Sequence, residues 1–180
     1  YGAMRKMGKI YDSNIIFVAF DAKEFDLKGS EALWNMIEYG RLRNPLSGET
    51  ITKDKITLMV NIDQIGSSLA PVSKDRKDYL IMLGTSSLKR DRRDLLHRCN
   101  IEEGIGMDIA LDYYGSDNFT KIFYRLSDQR VFVDNKMPAV LFTSGITMNN
   151  NKTWDRTDNL DMEVYMQRIR LMYHWIEKML

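Results

Sequence analysis

Cysteine is almost absent from this chain of 180 residues: Cys99 stands alone. An intramolecular disulfide and a cysteine-based zinc cluster are therefore both excluded. Histidine is nearly as scarce, with only His97 and His174, and neither shares a short motif with a carboxylate, so surface or packing roles fit both better than metal ligation. The longest apolar runs, Ile15 to Phe20 and Ile56 to Val60, are strand-sized and fall far short of the roughly 20 residues of a transmembrane helix. Charge of one sign is missing too. Lys and Arg (26) nearly cancel Asp and Glu (25) for a net +1, which gives no global field for nucleic acid or an anionic membrane. The start, Y-G-A-M-R-K-M-G-K, has neither an initiator methionine at position 1 nor the apolar core of a signal peptide, so it reads as a trimmed or an internal start.

What is present is the composition of a folded globular protein, 44% hydrophobic and 28% charged, in a length that fits one domain over 1–180. Asn14 to Phe20 (N-I-I-F-V-A-F) is a continuous apolar, β-branched and aromatic run, which predicts a central strand covered on both faces. A loop and a helix over Glu31 to Arg41 follow, with Ser30 as a cap. Ile56 to Ile62 predicts a second strand that ends at Asp63, Tyr79 to Leu83 a third, and Leu88 to Cys99 a charged surface helix. Met107 to Leu111 reads as extended. Phe119, Ile122, Phe123 and Leu126 recur at helical spacing and predict an amphipathic helix over Asp117 to Leu126. Ala139 to Thr143 is a further buried strand, and a last helix offers Tyr165, Ile169, Met172, Ile176 and Met179 as its apolar face. Strands alternating with helices predict an α/β fold of three layers, with a mostly parallel, mixed sheet between helices, and a site beyond the carboxyl ends of the strands.

Glu24 and Asp63 end two of these apolar runs, on the rim where such sheets build their sites. Paired carboxylates there hold hard or borderline cations. A lone acid at a strand end is, more commonly, a cap, a loop hydrogen-bond acceptor or simply solvated. The basic stretch Lys89 to Arg93 is interrupted by Asp91 and has no aromatic platform, so it reads as a solvated helix face rather than a nucleic-acid surface. Ser116 lacks the G-x-S-x-G setting of a nucleophile elbow, and no glycine cluster makes a phosphate-binding fingerprint.

Four pieces in order carry a resemblance: F-V-A-F-D-A-K-E-F-D-L-K-G-S from Phe17 to Ser30, N-I-D-Q-I-G from Asn61 to Gly66, S-D-N-F from Ser116 to Phe119, and M-P-A-V-L-F-T from Met137 to Thr143. They resemble, respectively, the strand and acidic pair before Gly-Ser, the N-x-D-x-x-G, the S-D-H-x-x-F helix start and the G-I-P-x-x-x-F strand of the co-catalytic two-zinc aminopeptidases, the family that includes the glutaminyl cyclases. The resemblance implies a zinc-exopeptidase-like fold, zinc as the family's cofactor, and peptide N-termini as ligands. It puts vestigial metal positions at Glu24 and Asp63, the general-base position at Lys23, and cleft residues at Asp117, Asn118, Trp154 and Asp158.

Trp154 takes the approximate place of the family's last histidine ligand, and Asn118 that of another histidine, while the family's H-x-D strand and bridging aspartate would precede Tyr1. A protonated lysine does not serve as the base that a carboxylate provides, and its charge repels a nearby metal. The resemblance therefore implies a domain impaired in hydrolysis that binds peptides or a partner, with zinc absent or weakly held. Its rivals are an active aminopeptidase whose ligands are supplied upstream, with Asp155 or Asp158 replacing the last histidine, and a purely structural or interaction module. An internal ammonium, Lys23, balancing Glu24 and Asp63 in a dry pocket is the sharper expectation. Glu24, Asp63 and Trp154 are expected to share one hollow. By resemblance alone the location is periplasmic or extracellular.

Overall fold

A computed structural model describes residues 10–68 and 76–180, together with Gly2 and Gly8. Helix α1 (Lys28–Glu38) is followed by strand β1 (Met59–Ile62), strand β2 (Tyr79–Leu83), helix α2 (Arg90–Glu102) and strand β3 (Asp108–Ala110). Helices α3 (Asp117–Tyr124) and α4 (Gln129–Asp134), strand β4 (Ala139–Thr143) and helix α5 (Met162–Met179) complete the order. Among the described residues no helix is long and apolar enough to cross a membrane.

The strands form one sheet in the order β1-β4-β2-β3. β4 runs parallel to β1, with Met59 opposite Ala139 and Ile62 opposite Phe142, while β2 pairs antiparallel with β4 and parallel with β3. The sheet is thus mixed: two parallel pairs meet along an antiparallel seam. One consequence positions the site, because only β1 and β4 bring their carboxyl ends to the rim that carries Asp63 and Ser144.

Alternation along the central strands sorts the core into layers. Leu80, Met82, Val140 and Phe142 face α2 and α5, where Leu96, Cys99, Leu171 and Trp175 are fully buried. Phe142 meets Trp175 edge to face at 5.1 Å, and the indole N–H donates to the Arg92 carbonyl at 3.0 Å. On the other face Ala139 packs with Trp34 and Ile37 of α1 and with Val131 and Phe132 of α4. Tyr79, Ile81, Leu83 and Leu141 continue that face against Tyr113.

Three expectations change. Asn14 to Phe20 forms no strand, and Phe17 is 78% exposed; apolar content favours an extended chain only where a neighbour supplies the ladder, and β1, an edge strand among the described residues, pairs with β4 alone. Of the stripe expected over Asp117 to Leu126 only Phe123 packs against the core, stacked on Tyr113 at 3.9 Å, while Phe119, Ile122 and Leu126 are exposed. On α5 Met172 is buried and Ile169, Ile176 and Met179 pack half-buried against the core as expected, while the buried positions extend to Val164, Arg168, Leu171 and Trp175, an arginine among them. The Arg168 guanidinium is wholly buried. It donates to the carbonyls of Tyr79 (2.8 Å), Ile65 (2.7 Å) and Ser67 (3.1 Å) and to Ser68 Oγ (2.9 Å), so it clamps the loop that leaves β1.

Candidate functional site

The site begins where β1 ends. The Asp63 N–H closes the β1–β4 ladder on the Phe142 carbonyl at 3.0 Å. Gln64 then turns with φ of 56°, and its carbonyl accepts from the Ser144 N–H (2.8 Å) and hydroxyl (2.7 Å). Arg168 fixes Ile65, Ser67 and Ser68 as described, which leaves the Asp63 carboxylate anchored at the rim. Lys23 arrives from the opposite side, on the loop between Phe20 and α1. Ala22 takes the left-handed conformation there, φ 56°, and the Ala22 and Lys23 carbonyls accept from Phe25 and Leu27. Gly29 lets this loop lie against α1, since a Cβ at that position would strike the Asp21 carbonyl.

The Lys23 ammonium donates to Asp63 Oδ2, with 32% and 26% of the two side chains exposed. Ser127 Oγ donates to the same oxygen at 2.6 Å. Behind them Asn61 Nδ2, buried, donates to Ser127 Oγ at 2.8 Å and to Gln129 Oε1 at 2.7 Å, and Gln129 Nε2 donates to the Tyr124 carbonyl. The ammonium and the hydroxyl both direct a hydrogen at Asp63 Oδ2, and the Asn61 amide in turn donates to that hydroxyl. A cavity of about 40 Å³ opens beside the pair, walled by Tyr113, Phe123, Leu126 and Ile146. A wider groove of about 380 Å³ runs between α1 and α4 past Glu31, Trp34 and Arg130. It contains none of the residues expected at the site.

Of the expected residues the structure brings together Lys23 and Asp63. Glu24 is exposed and lies outside the cavity wall. Consecutive side chains diverge on this loop, and Lys23 takes the inward direction. Asp117 and Asn118 are exposed on the first turn of α3, whose Ser116 Oγ caps the helix by accepting from Phe119 N at 3.3 Å. Trp154 is 57% exposed with the Lys152 ammonium 5.5 Å above its ring, and Asp158 is exposed and paired with Arg156 at 2.7 Å. Of Glu24, Asp63 and Trp154, which were expected to share one hollow, Asp63 alone lines this cavity. His97 is exposed on α2, and His174 lies between Glu103 and Glu177.

Ser127, Gln129 and the buried amide of Asn61 had no place in the sequence-based site, yet a signal for two of them was there. Ser-Asp occurs twice, and only Ser127-Asp128-Gln129-Arg130-Val131-Phe132 puts a phenylalanine at the spacing of S-D-H-x-x-F. Phe132 is 2% exposed, whereas Phe119 is 56% exposed. On this alignment Gln129 stands at the histidine position.

The donor set does not fit zinc. Among the described residues no three His, Cys, Asp or Glu side chains converge. Among the described residues Asp63 is the only carboxylate on the cavity wall, and its Oδ2 already receives an ammonium and a hydroxyl. A dication needs further anionic or imidazole ligands and would repel the ammonium.

Solved structures share the fold. The aminopeptidase LapA of Legionella pneumophila superposes with a TM-score of 0.56 at 17% identity, over 87% of this chain and 37% of its own. A zinc aminopeptidase from Bacillus subtilis gives 0.61 at 13% identity over 89% and 34%, and an aminopeptidase from Aneurinibacillus sp. strain AM-1 gives 0.54 at 18% over 87% and 31%. The chain therefore spans about a third of the length of these enzymes. No curated protein matches it. The profile of Peptidase family M28 matches residues 3–176, nearly the whole chain, and this chain belongs to that family.

Proposed function

We propose that this peptidase-like domain has exchanged metal-dependent hydrolysis for recognition, and that it binds peptide N-termini or a protein partner at the rim formed by β1 and β4. One observation carries the reading: Lys23, which the resemblance puts at the family's general-base position, donates its ammonium hydrogen to Asp63, and an ammonium has no lone pair with which to take a proton from water. Hydrolysis by a two-metal peptidase requires a base that takes a proton from water and ions that polarise the carbonyl. Lys23 supplies neither function while it holds Asp63. The chain's own residues do supply a shaped rim, with a charged pair at its floor and Tyr113, Phe123, Leu126 and Ile146 on its walls, a mixture of apolar surface and few polar groups that suits ligand recognition. A periplasmic or extracellular location belongs to the same reading and rests on the family resemblance.

The test uses the whole protein with aminoacyl-p-nitroanilides and a panel of short peptides. The reading expects no zinc-dependent release of nitroaniline, together with a saturable rise in melting temperature with peptides bearing a free N-terminus. Turnover that is lost with a chelator and restored by zinc defeats it.

A further inference from the structure

We propose that Asp63 and Ser127 form a site for one primary ammonium group, and that Lys23 fills this site with its own side chain. The inference concerns how the site is occupied and does not depend on whether the whole protein binds or hydrolyses peptides.

The geometry selects the ligand's charge. A single carboxylate faces the position of the Lys23 nitrogen, and its partners are donors: Ser127 Oγ to Asp63 Oδ2 at 2.6 Å, and Asn61 Nδ2 to Ser127 Oγ at 2.8 Å. The cluster thus offers acceptor capacity for one positive charge. One carboxylate satisfies a monocation and leaves a divalent ion short of ligands.

The same arrangement selects for N–H. Asp63 Oδ2 is met by hydrogens from both partners, and a quaternary ammonium has none to give. Size follows from the path of the side chain. Lys23 enters from the loop before α1, and the aromatic and aliphatic walls of Tyr113, Phe123 and Leu126 leave only about 40 Å³ beside it. A slim alkylammonium fits that approach, and the lysine stem is one.

Chemical rescue tests the assignment. Lys23→Ala in the whole protein removes the three methylenes and the ammonium beyond Cβ, which n-propylammonium replaces. The variant is expected to melt below the wild type, and n-propylammonium chloride at a few hundred millimolar is expected to raise its melting temperature by about 2–4 °C over sodium chloride or tetramethylammonium chloride at equal ionic strength. The wild type, whose site is filled, and the Lys23→Ala, Asp63→Asn double variant should show no such difference. Equal effects of the three salts, no effect of the primary amine, or rescue that persists without Asp63 would each overturn the proposal. Should Lys23→Ala fail to fold, Lys23→Met keeps the stem, and ammonium chloride then takes the part of n-propylammonium with the same expected and contrary results.

Discussion

The Tyr124 hydroxyl donates to the Ala139 carbonyl at 2.5 Å, beneath the turn at Gly84, where any Cβ would strike the phenol. Burial pushes its pKa from the ordinary 10 up to about 12, because the phenolate would lose its hydration and a donor cannot bond a carbonyl once deprotonated. The sign follows directly. The folded-state pKa is raised, so the contribution to stability is complete below pH 10 and is lost as pH climbs from 10 to about 12. Urea unfolding of Tyr124→Phe is expected to show a loss of about 1 kcal/mol at neutral pH, from the missing hydrogen bond. It should also show a shallower decline than the wild type between pH 10 and 12. An unchanged alkaline slope would mean that the phenol ionises freely. At the same scale Lys23 and Glu24 illustrate how one step along a loop separates a bonded side chain from a solvated one.

Arg168 decides the geometry of an entire element. Its fork reaches three carbonyls and a hydroxyl on β2 and on the loop after β1, and a lysine in its place presents one compact charge that cannot span them. Arg168→Lys is expected to cost about 2–4 kcal/mol in urea unfolding, since buried carbonyls are left without donors; a change below about 0.5 kcal/mol would show that the clamp is dispensable. This residue also explains what the sequence could and could not disclose. Ala139 to Thr143 is a strand with the bounds expected of it, because five consecutive apolar or β-branched residues behind a proline have few alternatives. The burial of Arg168 on α5 was missed because polarity argues against burying an arginine, and only the carbonyls it meets make that burial favourable. Asn14 to Phe20 failed for a different reason: pairing is a property of neighbours, and periodicity contains no information about them. In the site, Lys23 and Asp63 were legible as positions, but the ammonium was expected to balance Glu24 as well in a dry pocket, and here, among the described residues, it meets Asp63 alone with both side chains partly exposed. Ser127 was recoverable only by holding the second Ser-Asp to the phenylalanine spacing, and the buried orientation of Asn61 was not recoverable at all.

At the scale of the molecule, a mixed sheet between two helical layers brings a loop from before α1, the end of β1 and the start of α4 to one rim. That convergence is what the family fold provides. What this chain places there is an ammonium bonded to the one carboxylate of the cavity, supported by a hydroxyl and two amides. On the reading proposed above, the fold of the family is kept while the positive charge at this rim comes from a side chain. The most direct test is the zinc content of the whole protein purified without chelator, read together with its melting temperature before and after EDTA. The account predicts far less than one zinc per chain and no change on chelation. One or more zinc ions per chain, lost in Asp63→Asn and stripped by EDTA with a fall in melting temperature, would contradict it.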